Sequence, residues 1–153
     1  MVVRWIFAAV HLLALGIGLG AVWTRARALR ALPDPAAFGR AFAADGAWGV
    51  AALLWLGTGL VRAFGGLEKG TGYYLQNSAF HLKMGLFVLI TLLEIWPAVT
   101  LVRWRAARKK GVEIDTGPAA RIATISYVQA ALVIAMVFAA TAMARGIGYF
   151  GGR

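Results

Sequence analysis

The apolar positions of this chain neither alternate nor keep to one stripe; they come in four long blocks. From about Trp5 to Trp23, Trp48 to Phe64, Phe80 to Val102 and Ile122 to Met143, most residues are Ala, Leu, Val, Ile, Gly or aromatic. A bilayer core of roughly 30 Å takes about 20 apolar residues as helix. The pattern therefore predicts an all-α fold, a four-helix transmembrane bundle forming a single membrane domain over residues 1–153. Leu32-Pro33-Asp34-Pro35 breaks the chain after the first block. Gly65-Gly66 and Gly70-Thr71-Gly72 mark the middle loop, and Gly117-Pro118 precedes the last block, with Thr116 as the expected cap. Trp5, Trp23, Trp48, Tyr73, Tyr74, Trp104 and Tyr149 fall near block ends, where an aromatic belt belongs.

Residues seven apart share a helix face. Arg4, His11, Gly18 and Arg25 form such a series in the first span, and Trp48, Trp55 and Arg62 in the second. Lys83, Phe87, Ile90, Glu94 and Pro97 line one side of the third, and Gln129, Met136 and Met143 one side of the fourth. These series hold the polar and soft residues of their helices, so each is expected to face the bundle interior. Pro97 is expected to kink the third span. Gly16 and Gly20 make a G-x-x-x-G on the side of the first span away from His11, a pattern that favours close helix contact and admits a homo-oligomer.

Composition narrows the class. Charged residues make up only 14% of the chain, against about 25% in soluble domains, so an ordinary cytosolic globule is excluded. Absence of cysteine removes disulfides, zinc-thiolate sites, iron–sulfur clusters and covalent haem. A net charge of +10 would suggest nucleic acid in a soluble protein. In this chain it reads as topology and attraction to membrane lipids, and no nucleic-acid partner is expected. Ten Lys and Arg fall on the side of the loops after spans one and three, Arg25 among them, and five on the other side, with Lys83 left out because it lies within the third span. The positive-inside rule then puts both termini outside (N-out/C-out), as a multi-pass protein of a bacterial inner membrane.

Ionisable groups inside spans point to function by default. At 1.5 Å per residue, His11 lies about 21 Å above Arg25 and Met136 about 22 Å above Arg121, so the two are level. His81 comes about 12 Å higher, too far for a bis-histidine haem with His11. Arg62, Lys69, Lys83 and Arg145 reach one level at the outer ends, opposed only by Glu68. Converging cations need an anionic partner, lipid phosphate or the propionates of a porphyrin, and a quinone or small-anion site could use the same residues. A histidine below and a cationic cluster above is what haem b in a bundle needs, with His11 as metal ligand and Met136 at its level. Glu94 and Gln129 are level near mid-membrane, as proton relay or as helix glue.

The whole chain resembles an uncharacterised family of small bacterial four-helix integral membrane proteins, a domain of unknown function. The pieces that carry the likeness are A-V-H-L-L-A-L at 9–15 with R-x-R at 25–27, the stretch from Asp45 to Arg62, K-G-T-G-Y-Y at 69–74, N-S-A-F-H-L-K-M at 77–84, and Pro97 through Trp104-Arg105. The layout is also similar to the HemJ/CopD-type membrane proteins, which carry a histidine in the first span and H-x-K opening the third. His11 and His81-Leu82-Lys83 stand in those places. That resemblance implies haem or porphyrin at His11, an essential Lys83, and an oxidoreductase activity. The competing expectation is a non-enzymatic accessory or packing protein whose cations hold lipid or quinone.

Overall fold

The computed structural model describes residues 2–65 and 71–151. Within them the chain forms α1 (Val2–Arg30), α2 (Pro35–Phe64), a short α3 (Thr71–Leu75), α4 (Ser78–Lys109) and α5 (Ala119–Ala144), with no named strand. All four long helices are long and apolar enough to cross a membrane. The four-helix expectation holds.

The helices outrun the apolar blocks. At 29 residues, α1 is about 43 Å long, well beyond the hydrocarbon core. The expected loop from 25 to 45 is thus mostly helix, and only residues 31–34 separate α1 from α2. The cause is local. Asp34 caps α2 by accepting from the Ala36 N–H at 3.0 Å, and Pro35 at the first helical position lacks the N–H that would otherwise be orphaned. Asn77 caps α4 in the same way, accepting from the Ala79 and Phe80 N–H groups. Thr116 does not cap α5: Pro118 occupies that position without a side-chain bond, while the Thr116 carbonyl accepts from Ala119. Gly111 stops α4 at φ +67°, a conformation that favours glycine. Pro97 is buried inside α4, which continues through it.

α1 is the hub. It packs along α2 and α5, α4 packs on α5, and α2 and α4 touch far less. Two apolar layers result. One joins Ala14, Val22, Trp48, Trp55, Ile90, Val133 and Met136; the other joins Leu29, Ala41, Leu101, Trp104 and Ile122 at the basic-loop end. Outward positions are as apolar as inward ones: Leu13, Leu53 and Phe138 are 64%, 72% and 72% exposed. A surface of that kind suits hydrocarbon rather than water.

The interior faces fall where the seven-residue series put them, with one exception. His11, Gly18, Arg25, Trp48, Trp55, Ile90, Pro97, Gln129 and Met136 are buried, but Arg4 is exposed in the first turn of α1. Gly16 and Gly20 face outward with nothing within 4 Å of either. They serve no contact within the protomer.

Candidate functional site

Between the two apolar layers lies a polar one, built on Arg25. The side chain is fully buried, and all five of its N–H donors are used. Nη1 and Nη2 grip the two oxygens of Glu94 at 2.7 and 2.8 Å. Nη1 also donates to Asp45 at 2.9 Å, Nη2 to Gln129 Oε1 at 2.8 Å and Nε to Ser126 at 3.0 Å. Gln129 in turn donates to Glu94 at 2.8 Å, and Arg105 donates to the second oxygen of Asp45 at 2.7 Å. One side chain thus ties α1 to α2, α4 and α5. Two cations face two carboxylates, so the layer is neutral.

Sequence reasoning placed Glu94 and Gln129 correctly at one level and missed what holds them. Arg25, counted with the basic loop and also placed on the interior series of His11 and Gly18, lies buried on that series. Asp45, named only as the start of a stretch carrying the family likeness, was given no partner because the second span was expected to start near Trp48. The Asp34-Pro35 pair, an N-cap followed by proline at N1, was the available signal.

The second polar feature lies toward the termini. The four long helices enclose a cavity of about 460 Å³, and α3 contributes Tyr73 and Tyr74 to its wall. Its body is apolar and aromatic: Leu15, Trp55, Phe80, Phe87 and Met136 contribute, along with Val137 and Ala140. Among the described residues, His11, Arg62 and Lys83 are the basic residues lining it. Four expected site residues, His11, Lys83, Arg62 and Met136, therefore meet in one cavity. Arg145 does not join them; it caps the C-terminus of α5 and is exposed, although Met143 and Ala144 beside it line the wall. His81 is exposed on the first turn of α4. Lys69 and Glu68 lie outside the described residues.

His11 is held from both sides. Trp55 Nε1 donates to His11 Nε2 at 2.9 Å. Indole is a donor only, so Nε2 must accept and the ring proton sits on Nδ1. Nδ1 then donates to Thr58 Oγ1 at 2.9 Å, and the hydroxyl passes its own hydrogen to the Leu54 carbonyl. The imidazole is neutral, and its one lone pair is committed to Trp55. Gly59 gives it room: a Cβ there would come within 3.3 Å of His11 Cε1.

Lys83 is different. Among the described residues it has no hydrogen-bond or ion-pair partner, although it sits inside a transmembrane helix on the cavity wall. The termini end above it is closed by a small assembly. Tyr73 donates to the Met143 carbonyl at 2.9 Å and stacks on Tyr149 at 4.9 Å, while Ser78 N–H donates to the Gly148 carbonyl. Gly148 adopts φ +85° close against Ser78, a position with no space for a side chain. Among the described residues no group of three or more His, Asp or Glu comes together to hold a metal ion.

The sequence matches one family model, described as "Predicted membrane protein (DUF2214)", over residues 3–148, and the chain belongs to that family. No curated protein and no solved structure matches it.

Proposed function

We propose that the protein is a membrane-embedded binding protein whose cavity takes an amphipathic anion, with the apolar body between Trp55, Phe87 and Met136 and the acidic head on Lys83 and Arg62. One observation carries the reading. An ammonium group with no anionic partner among the described residues lines a largely apolar cavity of about 460 Å³, a size suited to a small ligand. A cation inside a span is costly unless something pairs with it. Porphyrin acids, acidic lipids and quinone-like acids all belong to the class.

Native mass spectrometry of the purified protein tests this. Wild type should retain an acidic adduct, and Lys83→Gln should reduce its occupancy at least tenfold, as expected for a charge-assisted contact of about 1.5–3 kcal/mol. Only neutral adducts, or an adduct indifferent to Lys83, would refute it.

Haem b with His11 as axial ligand is the second reading, favoured by His11 and Met136 lining the same wall. As built, His11 does not fit that role, because iron would have to displace the Trp55 N–H from Nε2. No redox step is assigned to the protein. Trp55→Phe frees that lone pair. The anion reading expects no Soret band in either protein after haem-replete expression. A band in wild type that His11→Ala abolishes would transfer the conclusion to haem.

We also infer that the basic loops face the cytoplasm of a bacterial cell. Without Arg25 the Lys/Arg bias is still nine to five. Reporters fused after Lys110 and after the C-terminus should report opposite compartments.

A further inference from the structure

The cavity has a mouth, and its position says where the ligand comes from. Leu56, Leu60 and Phe64 of α2 line the cavity yet are 37%, 45% and 50% exposed. They lie on the side of α2 whose Phe38 and Phe42 meet Trp104 and Arg105 of α4, and α2 and α4 touch far less than the other packed pairs of long helices. At the basic-loop end the same two helices are tied by Arg105, which donates to the Phe42 carbonyl and to Asp45. At the termini end α3 contributes Tyr73 and Tyr74 to the wall and is fastened to α5 through Tyr73. Below the cavity the apolar layer of Val22 and Ile90 and then the Arg25 network fill the bundle. A molecule in the bilayer meets an apolar opening at Leu56, Leu60 and Phe64.

The polarity gradient inside agrees. Arg62 lies two residues from the end of α2 and Lys83 five residues into α4, whereas Trp55 and Met136 lie deeper. From Phe64 to Trp55 the cavity runs about 13 Å along the axis, somewhat under half of a bilayer core. Head toward the surface and chain toward the midplane is how a lipid already sits in one leaflet. Resting on the anion-binding reading, we infer that the ligand is a single-chain anionic lipid, one apolar chain ending in a carboxylate or phosphate monoester, which slides in from a single leaflet between α2 and α4.

The test uses the full chain in phosphatidylcholine vesicles and a 16-carbon carboxylic acid with a mid-chain diazirine. Photolabelling mapped by mass spectrometry should mark Trp55, Phe87 or Met136. Lys83→Gln should cut that labelling at least tenfold while leaving labelling of outward-facing Leu13 and Ile17 unchanged. Unlabelled palmitate or lysophosphatidate should compete, the more effective one identifying the head group; butyrate, inorganic phosphate and two-chain phosphatidate should not. Filling the seam with Leu60→Trp should slow cavity labelling at least fivefold. The inference is overturned if labelling stays on outward faces and ignores Lys83, if butyrate or inorganic phosphate competes as well as palmitate, or if Leu60→Trp leaves the rate unchanged. A different acid retained through Lys83, with this probe excluded, overturns the lipid assignment alone. If no anion at all depends on Lys83, the binding reading falls with it.

Discussion

Arg25 and Lys83 are both cations within the spans, yet the fold treats them in opposite ways. Around Arg25 every donor has an acceptor, supplied by three other helices, and two carboxylates balance the charge of Arg25 and Arg105. Lys83 faces a cavity, with apolar surroundings and no partner among the described residues. Desolvating a charge is costly in both places. The Arg25 layer offsets that cost internally, so it acts as a clamp that fixes helix register. At Lys83 none of the described residues offsets that cost. In membrane bundles, a satisfied network marks structure and an unsatisfied charge beside open volume marks a site.

The comparison can be broken most forcefully at the clamp. Arg25→Leu leaves Glu94 and Asp45 buried without their main partner. It should destabilise the bundle by about 3–5 kcal/mol, seen as earlier unfolding in mixed SDS–detergent titrations. An unaltered midpoint would mean that the clamp does not hold the helices. Arg25→Lys keeps the charge but loses the planar fork that spans both Glu94 oxygens. A loss of about 2 kcal/mol is expected in the same titration, within the usual range for hydrogen bonds to charged groups. Recovery of full wild-type stability by lysine would reduce the clamp to simple charge pairing.

At the cavity, stability effects should be smaller. Trp55→Phe keeps most of the packing against Phe87 but deprives His11 Nε2 of its donor. A cost of about 1–2 kcal/mol follows from one unsatisfied, buried acceptor. Thr58→Val removes the acceptor on the other side of the ring and should cost a similar amount. If both substitutions are silent in unfolding titrations, His11 is not positioned by these two bonds.

Much of this was legible before any coordinates, because helical period and burial share one geometry. The seven-residue series placed His11, Trp55 and Met136 on interior faces, and counting rise per residue brought His11, Lys83 and Arg62 to one end of the bundle. What could not be read was which polar groups would find each other. Arg25 sits beside Arg27 and Arg30 in the chain and looks like one of a basic cluster. Only the closure of α2 and α4 around it brings Asp45 and Glu94 within reach. Arg145 shows the converse. Its level was right, but the end of α5 turns it away from the cavity, and level alone does not give direction. His11 was the most inviting ligand in the sequence, and the structure uses both of its ring nitrogens internally.

The most direct test of the contrast is a paired measurement on one variant, Lys83→Gln, following both unfolding and bound adduct. The account predicts an unfolding midpoint equivalent to wild type within about 0.5 kcal/mol, the usual range for substitutions that break no internal contact. In the same preparation, occupancy of the acidic adduct should fall at least tenfold by native mass spectrometry. Loss of stability with occupancy intact would contradict it, because Lys83 would then be part of the scaffold and the cavity no binding site for an anion.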